Sequence, residues 1–373
     1  MPRLKKPTTV EDTKEKGPKS KAPRYGEDPV PGFFPTGSTL LDLAFGGKGY
    51  PLGRIVNIVG DFSSGKTNIG LEACINFKRT FPKGKIRYID AESAVSRDYA
   101  EELGLMRGDF ELSQSDDGSS EVTSVRETIQ DLLKFLSEGD SETEKLYVLD
   151  SLDALVDDLL SDEDSTSGYA GARKAAAFNV LLNRATPHLQ KKKCLFLVIS
   201  QIRVNIGVMF GPKFRRSGGK ALDFYSSIIC WMTESEKIIE TTPTKLKIQT
   251  GIRTKAQIKK NKVGKPGKEV HLNLLFGYGI DDELSCLDWL KEAVGVEKIA
   301  IGEKEYKITS LKNYIKKARK ENKIAVLNKL QKSIRDVTIR YWQDMEDTVR
   351  IGTRKYREEV EETGETPTEE EGE

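Results

Sequence analysis

The run Gly60-Asp61-Phe62-Ser63-Ser64-Gly65-Lys66-Thr67 has the residue types and spacing of a phosphate cradle. Glycines let backbone N–H groups turn inward onto phosphate oxygens, Lys66 puts a cation beside the outer phosphates, and the Thr67 hydroxyl completes a Mg²⁺ shell. A glycine loop that merely caps a helix has no need of the Lys-Thr pair. Further along, Leu146-Tyr147-Val148-Leu149-Asp150 is an apolar run ending in an aspartate that can reach Mg²⁺, usually through water. Another run, Ile86-Arg87-Tyr88-Ile89-Asp90-Ala91-Glu92, ends in two carboxylates two residues apart. A continuing strand would point both to one face, so spacing does not choose between them. Glu92 is the candidate to polarise an attacking water, because it lies further past the strand's C-terminal edge, where open α/β sheets bind ligands.

These groups need a scaffold that brings strand ends together. Residues 54–60 read as a short buried strand and 68–79 as the helix that comes after it. Apolar runs at 86–90, 146–150, 195–200 and 227–232 are separated by helix-length segments, the pattern of βαβ units. Strands expected at 245–251, 254–259 and 270–275 have short turns between them and extend the sheet antiparallel. The expected fold is therefore α/β, a mixed, mostly parallel central sheet flanked by helices, over residues 32–282. Apolar residues at helical spacing in 285–294 and 310–349, such as Leu311, Tyr314, Ile315 and Ala318, predict a small helical C-terminal lobe over 283–352. Gln201 lies just past the buried run 195–200, where a neutral amide can donate to a phosphate oxygen without repelling it.

With 32% charged residues and a net charge of only +2 over 373 residues, the chain is no uniformly basic coat. Positive charge is local. Arg3, Lys5, Lys6, Lys14, Lys16, Lys19, Lys21 and Arg24 outnumber the acids in a tail over 1–31, and an acidic tail closes the chain at 353–373. Cys74, Cys194, Cys230 and Cys286 lie far apart in apolar segments, unlike metal ligands or a disulfide framework, and fit a reducing cytoplasm. No apolar run approaches the roughly twenty residues that span a bilayer, and none comes after the basic N-terminus as a signal peptide requires.

The set Thr36-Gly-Ser-Thr-Leu-Leu-Asp42, Pro51-Leu-Gly-Arg-Ile-Val56, Ser63-Ser-Gly-Lys-Thr67, Asp90-Ala-Glu92, Gln201-Ile-Arg203 and Ile206-Gly-Val-Met-Phe-Gly211 resembles the RecA family in order and spacing, from about residue 36 to 281. The resemblance implies a RecA-like ATPase core that uses ATP and Mg²⁺. Glu92 would activate water, Tyr99 would stack on adenine, and Gln201 would sense the γ-phosphate and pull the adjoining loop with it. That loop, 202–220, resembles the family's second DNA-binding loop and carries Arg203, Ile206, Met209, Phe210, Lys213, Arg215, Arg216, Gly218, Gly219 and Lys220. Its cations suit phosphates, and an apolar residue such as Ile206 suits insertion between bases. The Thr-rich centre of the family loop is replaced here by Pro212-Lys-Phe-Arg-Arg-Ser217, which is more basic.

A first DNA loop is expected near 160–172. Arg173 matches a DNA-contacting arginine, while Val180 stands where a second basic position is expected and Lys174 or Arg184 offers compensation. Lys260-Asn-Lys262 resembles the lysine pair inserted across a subunit boundary onto the neighbour's ATP. Two departures stand out. The N-terminal tail lacks an obvious apolar polymerisation helix, and the region after 282 matches poorly, which suggests a divergent member of the viral UvsX-like kind acting in the cytoplasm of a bacterial or virus-infected cell. The expected activity is DNA-dependent ATP hydrolysis by a recombinase that forms helical filaments of itself on single-stranded DNA and pairs it with homologous double-stranded DNA. Single-strand-binding and mediator proteins are expected partners. The competing readings are a hexameric helicase with the same core and a recombination mediator that exchanges no strands.

Overall fold

The structure, a computed structural model, describes residues 30–113, 122–140, 142–156, 169–204, 214–216 and 219–349. The chain opens with β1 (Phe33–Phe34), α1 (Thr39–Ala44) and β2 (Tyr50–Pro51), which pairs with β1. The first half of the core continues as β3 (Ile55–Gly60), α2 (Lys66–Thr80), β4 (Lys85–Asp90), α3 (Arg97–Glu102), β5 (Glu111–Leu112), α4 (Val125–Ser137) and β6 (Lys145–Asp150). The second half comprises α5 (Tyr169–Lys191), β7 (Cys194–Val204), β8 (Phe214–Arg216), α6 (Gly219–Tyr225), β9 (Ile228–Thr241), β10 (Lys247–Asn261), β11 (Glu269–Leu275) and β12 (Gly279–Ile280). Beyond it lie α7 (Asp282–Glu292), the hairpin β13 (Lys298–Ile301) and β14 (Lys304–Lys307), α8 (Ile308–Lys320) and α9 (Ile324–Thr348).

One ten-stranded sheet runs β12-β11-β10-β9-β3-β7-β6-β4-β5, with β8 against β7. Strands from β9 to β5 are parallel, and β10 to β12 add an antiparallel wing. Side chains alternate between two cores, as a sheet covered on both faces requires. Leu146 and Val148 of β6 pack with Ile69, Ala73 and Phe77 of α2, while Tyr147 and Leu149 pack with Leu132 and Phe135 of α4 and Phe178 and Leu182 of α5. Because β3 sits mid-sheet with its helix crossing to β4 over two intervening strands, the C-terminal strand ends converge beside the N-terminus of α2.

Residues 285–294 fall largely within α7, and the long helical stretch expected over 310–349 is two helices. Asn322, with φ of 51°, turns the chain between α8 and α9, a left-handed conformation that asparagine adopts more readily than most residues. The β13–β14 hairpin was not expected from the sequence. The two short strands expected at 245–251 and 254–259 are one strand, β10, interrupted by bulges. This C-terminal region is fastened to the core by Arg319 of α8, whose guanidinium donates to both oxygens of the fully buried Asp281 at 2.7 Å and to Glu283 at 2.9 Å. Thr39 donates to both oxygens of Asp282 at 2.6 and 2.7 Å, joining α1 to α7.

Candidate nucleotide site and DNA-facing segments

Between β3 and α2 the loop Gly60–Gly65 closes so tightly that its glycines cannot be replaced. A Cβ on Gly60 would lie 2.4 Å from Ser64 Oγ, and one on Gly65, whose φ is +85°, would lie 2.1 Å from Leu274 Cδ1. The loop is pinned by Ser64 Oγ donating to Asp61 O at 2.8 Å and by Thr254 Oγ1 of β10 donating to Ser64 O at 3.1 Å. Lys66 Nζ donates to Asp61 O at 2.6 Å, an internal acceptor that stands where a phosphate oxygen would compete. Phe62 projects from the loop, 75% exposed.

The carboxylates divide their work in a way that spacing left open. Asp90 is buried and turns back, its two oxygens accepting from Ala94 N at 3.1 Å and Val95 N at 2.7 Å, so it shapes the turn after β4. Glu92 faces the loop instead. Its Oε1 accepts from Gln201 Nε2 at 2.6 Å and from the Ser151 hydroxyl. Asp150, at the end of β6, accepts from Tyr88 OH at 2.8 Å and from the Thr67 hydroxyl. Burial pushes its carboxyl up to about 6, against the opposing pull of those hydrogen bonds. Burial likewise lowers the Lys66 ammonium, offset by Asp150 and Glu92. Thr67 and Asp150 form a hydroxyl–carboxylate pair of the chemistry that holds Mg²⁺. Within β7, which runs past the expected end at 200, Gln201 N donates to Asp153 Oδ2 at 2.6 Å, which fixes the backbone while leaving the amide on Glu92.

These groups share one cavity of about 430 Å³, lined by Phe62, Ser63, Gly65, Lys66, Thr67, Asn68, Glu92, Asp150, Gln201, Glu234, Lys237, Gln249, Ile252 and Phe276. Tyr99 lies at its α3 side, half-buried, with its hydroxyl donating to Asn68 Oδ1 at 2.9 Å and close to the Gly277 backbone. Sequence reasoning missed Ser151, Tyr88, Asn68 and Phe276. Ser151 directly succeeds the strand-end aspartate, the one positional signal that could have found it.

The RecA N-terminal domain profile matches residues 27–281. The chain belongs to the RecA family. It is 34% identical to Protein RecA of Enterococcus faecalis over 259 residues, 69% of each chain, and 36% identical to Protein RecA of Limosilactobacillus reuteri over 263 residues, 70% of this chain and 68% of that one. Against Protein RecA of Streptomyces ambofaciens it is 33% identical and spans 64% of the relative's length. The crystal structure of the RadB recombinase aligns over 66% of this chain and 97% of its own at a TM-score of 0.46 and 18% identity. The RecA family is a family of recombinases with P-loop ATPase cores, acting in DNA recombination and repair and using ATP with Mg²⁺. The RecA-like α/β fold expected from sequence is the fold observed.

The segments expected to contact DNA are described in part. Arg173 lies on α5, Arg203 on β7, Arg215 and Arg216 on β8, and Gly219 and Lys220 open α6. The β7–β8 register sets Arg203 opposite Arg215 and Ile202 opposite Arg216. Ile206, Met209, Phe210, Lys213 and Gly218 lie outside the described residues. Val180 on α5 is 46% exposed.

Lys260 and Lys262 are not brought to the loop at all. Lys260 Nζ donates to Asp223 O and to Phe224 O at 3.0 Å, and Lys262 Nζ donates to Phe224 O at 3.1 Å, so both cap the end of α6. That end borders a hollow of about 670 Å³ shared with Arg54 and Ile55, at the start of β3. The loop Gly60–Gly65 is at the other end of the same strand, roughly 17 Å away at 3.3 Å per residue. No helix among the described residues is long and apolar enough to cross a membrane.

Proposed function

We propose that this chain is an ATP-dependent DNA recombinase that coats single-stranded DNA as a helical filament and pairs it with a homologous duplex. The observation that carries the reading is the Gln201–Glu92 hydrogen bond, because Gln201 ends the buried part of the strand that leads into the basic segment 202–220. A residue tied to the water-activating carboxylate is thereby mechanically continuous with the expected DNA loop, and a γ-phosphate that takes the amide from Glu92 draws on that strand. Nucleotide and DNA affinity are then one linked equilibrium.

Lys66 and the loop amides bind the polyphosphate, Thr67 and Asp150 would hold Mg²⁺, and Glu92 orients and accepts a proton from the attacking water. Bound Mg²⁺ supplies neutralisation of the charge on the phosphate oxygens. Glycines at 60 and 65 let the loop close against Ser64 and Leu274, and the Thr67 hydroxyl with the Asp150 carboxylate is the donor set that fits Mg²⁺. Tyr99, hydrogen-bonded to the cavity residue Asn68, would stack on the adenine, with Phe276 lining the same cavity. Lys260 and Lys262, a strand's length from their own loop, would act on a neighbour's nucleotide, so hydrolysis would require the filament.

Joint-molecule formation between a circular single strand and a homologous linear duplex tests the reading. Products are expected with ATP and none without it. Duplex unwinding without pairing would replace it by a helicase, and nucleotide-regulated DNA binding with neither activity by a mediator.

A further inference from the structure

Two bulges in the long β9–β10 hairpin turn side chains toward the nucleotide cavity that strict alternation would point away from it. In the register of this pair Glu234 faces Thr254 and Glu236 faces Arg253, leaving Ser235 extra; Gln249 faces Ile239 and Gly251 faces Ile238, leaving Thr250 extra. An extra residue reverses the alternation and re-aims the side chains beyond it. Glu234 and Lys237, three apart, accordingly both line the cavity, as do Gln249 and Ile252. Both bulges are built in. The Ser235 hydroxyl donates to Arg253 O at 2.9 Å, and beside Thr250 only glycine fits, since a Cβ at Gly251 would lie 2.3 Å from Leu274 O. From the other side Arg253 fastens the hairpin, donating to Glu292 of α7 at 3.3 Å.

β9 borders β3 on the side away from β7, so Lys237 approaches the loop from the flank opposite Gln201. Apart from Lys237 the charged side chains lining the cavity are Lys66 against Glu92, Asp150 and Glu234. Beside the charge that bound Mg²⁺ would neutralise, a second fixed cation would favour the binding of a polyphosphate there. Lys237 is positioned to do so: its ammonium has no hydrogen-bond or ion-pair partner among the described residues, while its backbone is fixed in the hairpin.

We propose that Lys237 is a second nucleotide-binding cation, contacting the outer phosphates in cis from the hairpin; this rests on the cavity being the nucleotide site. The contact comes from a strand outside the P-loop and adds to the lysines expected in trans. It is tested by the binding of a non-hydrolysable ATP analogue to the full chain without DNA, in Lys237→Ala, Lys237→Arg and Lys66→Ala variants, with the melting temperature of each measured without nucleotide. Lys237→Ala is expected to bind about tenfold more weakly, the loss of one charge-assisted contact, with an unchanged melting temperature, and Lys237→Arg to recover most of the loss. Analogue binding by Lys237→Ala within about twofold of the parent, or equal losses in the alanine and arginine variants, overturns the proposal. Lys66→Ala separates the two levels. If it too binds normally, the cavity is not the nucleotide site; if it alone loses binding, only the role of Lys237 falls.

Discussion

The two ends of strand β3 carry opposite halves of a chemistry. At its C-terminal end Glu92, Asp150, Gln201, Ser151, Tyr88 and Thr67 are joined by hydrogen bonds in two groups around the carboxylates, and Lys66 is the cation among them. At its N-terminal end Lys260 and Lys262 donate to backbone carbonyls of α6, beside the 70% exposed Phe224. One edge holds the groups proposed to activate water and hold Mg²⁺, and the other holds cations that a strand's length keeps from them. In the proposed filament, stacking one copy on the next would bring the two together, and α6, which opens at the end of the DNA segment, would be the element that positions the donated charge.

Lys66 carries the largest expected effect on that contrast. Lys66→Ala is expected to abolish ATP hydrolysis, a loss of at least about a thousandfold, because a buried phosphate contact goes with it. Turnover retained in a phosphate-release assay would put the chemistry elsewhere. Glu92→Gln keeps the shape but removes the base, and is expected to bind ATP while hydrolysing it about a hundredfold more slowly, leaving long-lived filaments on single-stranded DNA. Fast disassembly of that variant, followed by light scattering, would contradict the role.

The trans lysines make a smaller and sharper prediction. A Lys260→Ala/Lys262→Ala variant is expected to lose about tenfold to a hundredfold of its DNA-stimulated turnover while binding nucleotide normally. Mixed with Glu92→Gln, it is expected to regain activity, since the intact site of one copy then meets the intact lysines of the other. A mixture no more active than the sum of its parts would show that the two edges do not meet.

How much of this was legible depends on how local each signal is. The loop 60–67 could be read because glycines, lysine and threonine do their work within one turn of chain, and the strands at 86–90, 146–150 and 195–200 because apolar runs bounded by polar ends have few other uses in a sheet covered on both faces. Spacing did not separate Asp90 from Glu92, and only the position of Glu92 past the strand end favoured it; what divides them is the pair of amides of Ala94 and Val95, in a turn that no periodicity announces. Lys237 lay beyond the strand expected at 227–232, which runs on to Thr241, and Gln249 precedes a bulge that shifts parity by one, so a reading at period two does not show that Gln249 and Ile252 share a face. The break at Asn322 left a signal, an asparagine between two lysine-rich turns, but the apolar spacing on both sides is helical and hides it.

The smallest expected effect lies in the basic segment 202–220, where phosphate contacts would be weakened by salt. Arg215 and Arg216 sit on β8 opposite Arg203 and Ile202, in a stretch more basic than the family's Thr-rich loop centre. If both arginines contact phosphate, each contact releases about 0.7 of a counterion from a single strand, so removing the pair lowers the slope of log affinity against log salt by about 1.4. An Arg215→Ala/Arg216→Ala variant is therefore expected to bind single-stranded DNA less tightly in low salt and nearly as well as the parent in high salt, with no change in sequence preference, since phosphate contacts carry none. Fluorescence anisotropy across a salt series measures the slope directly. An unchanged slope would assign these arginines to the fold of β8 and leave Arg203 and Lys220 as the loop's working cations, while a slope change larger than two contacts allow would mean that the loop acts as a unit, ordered on DNA only when its charges are present together.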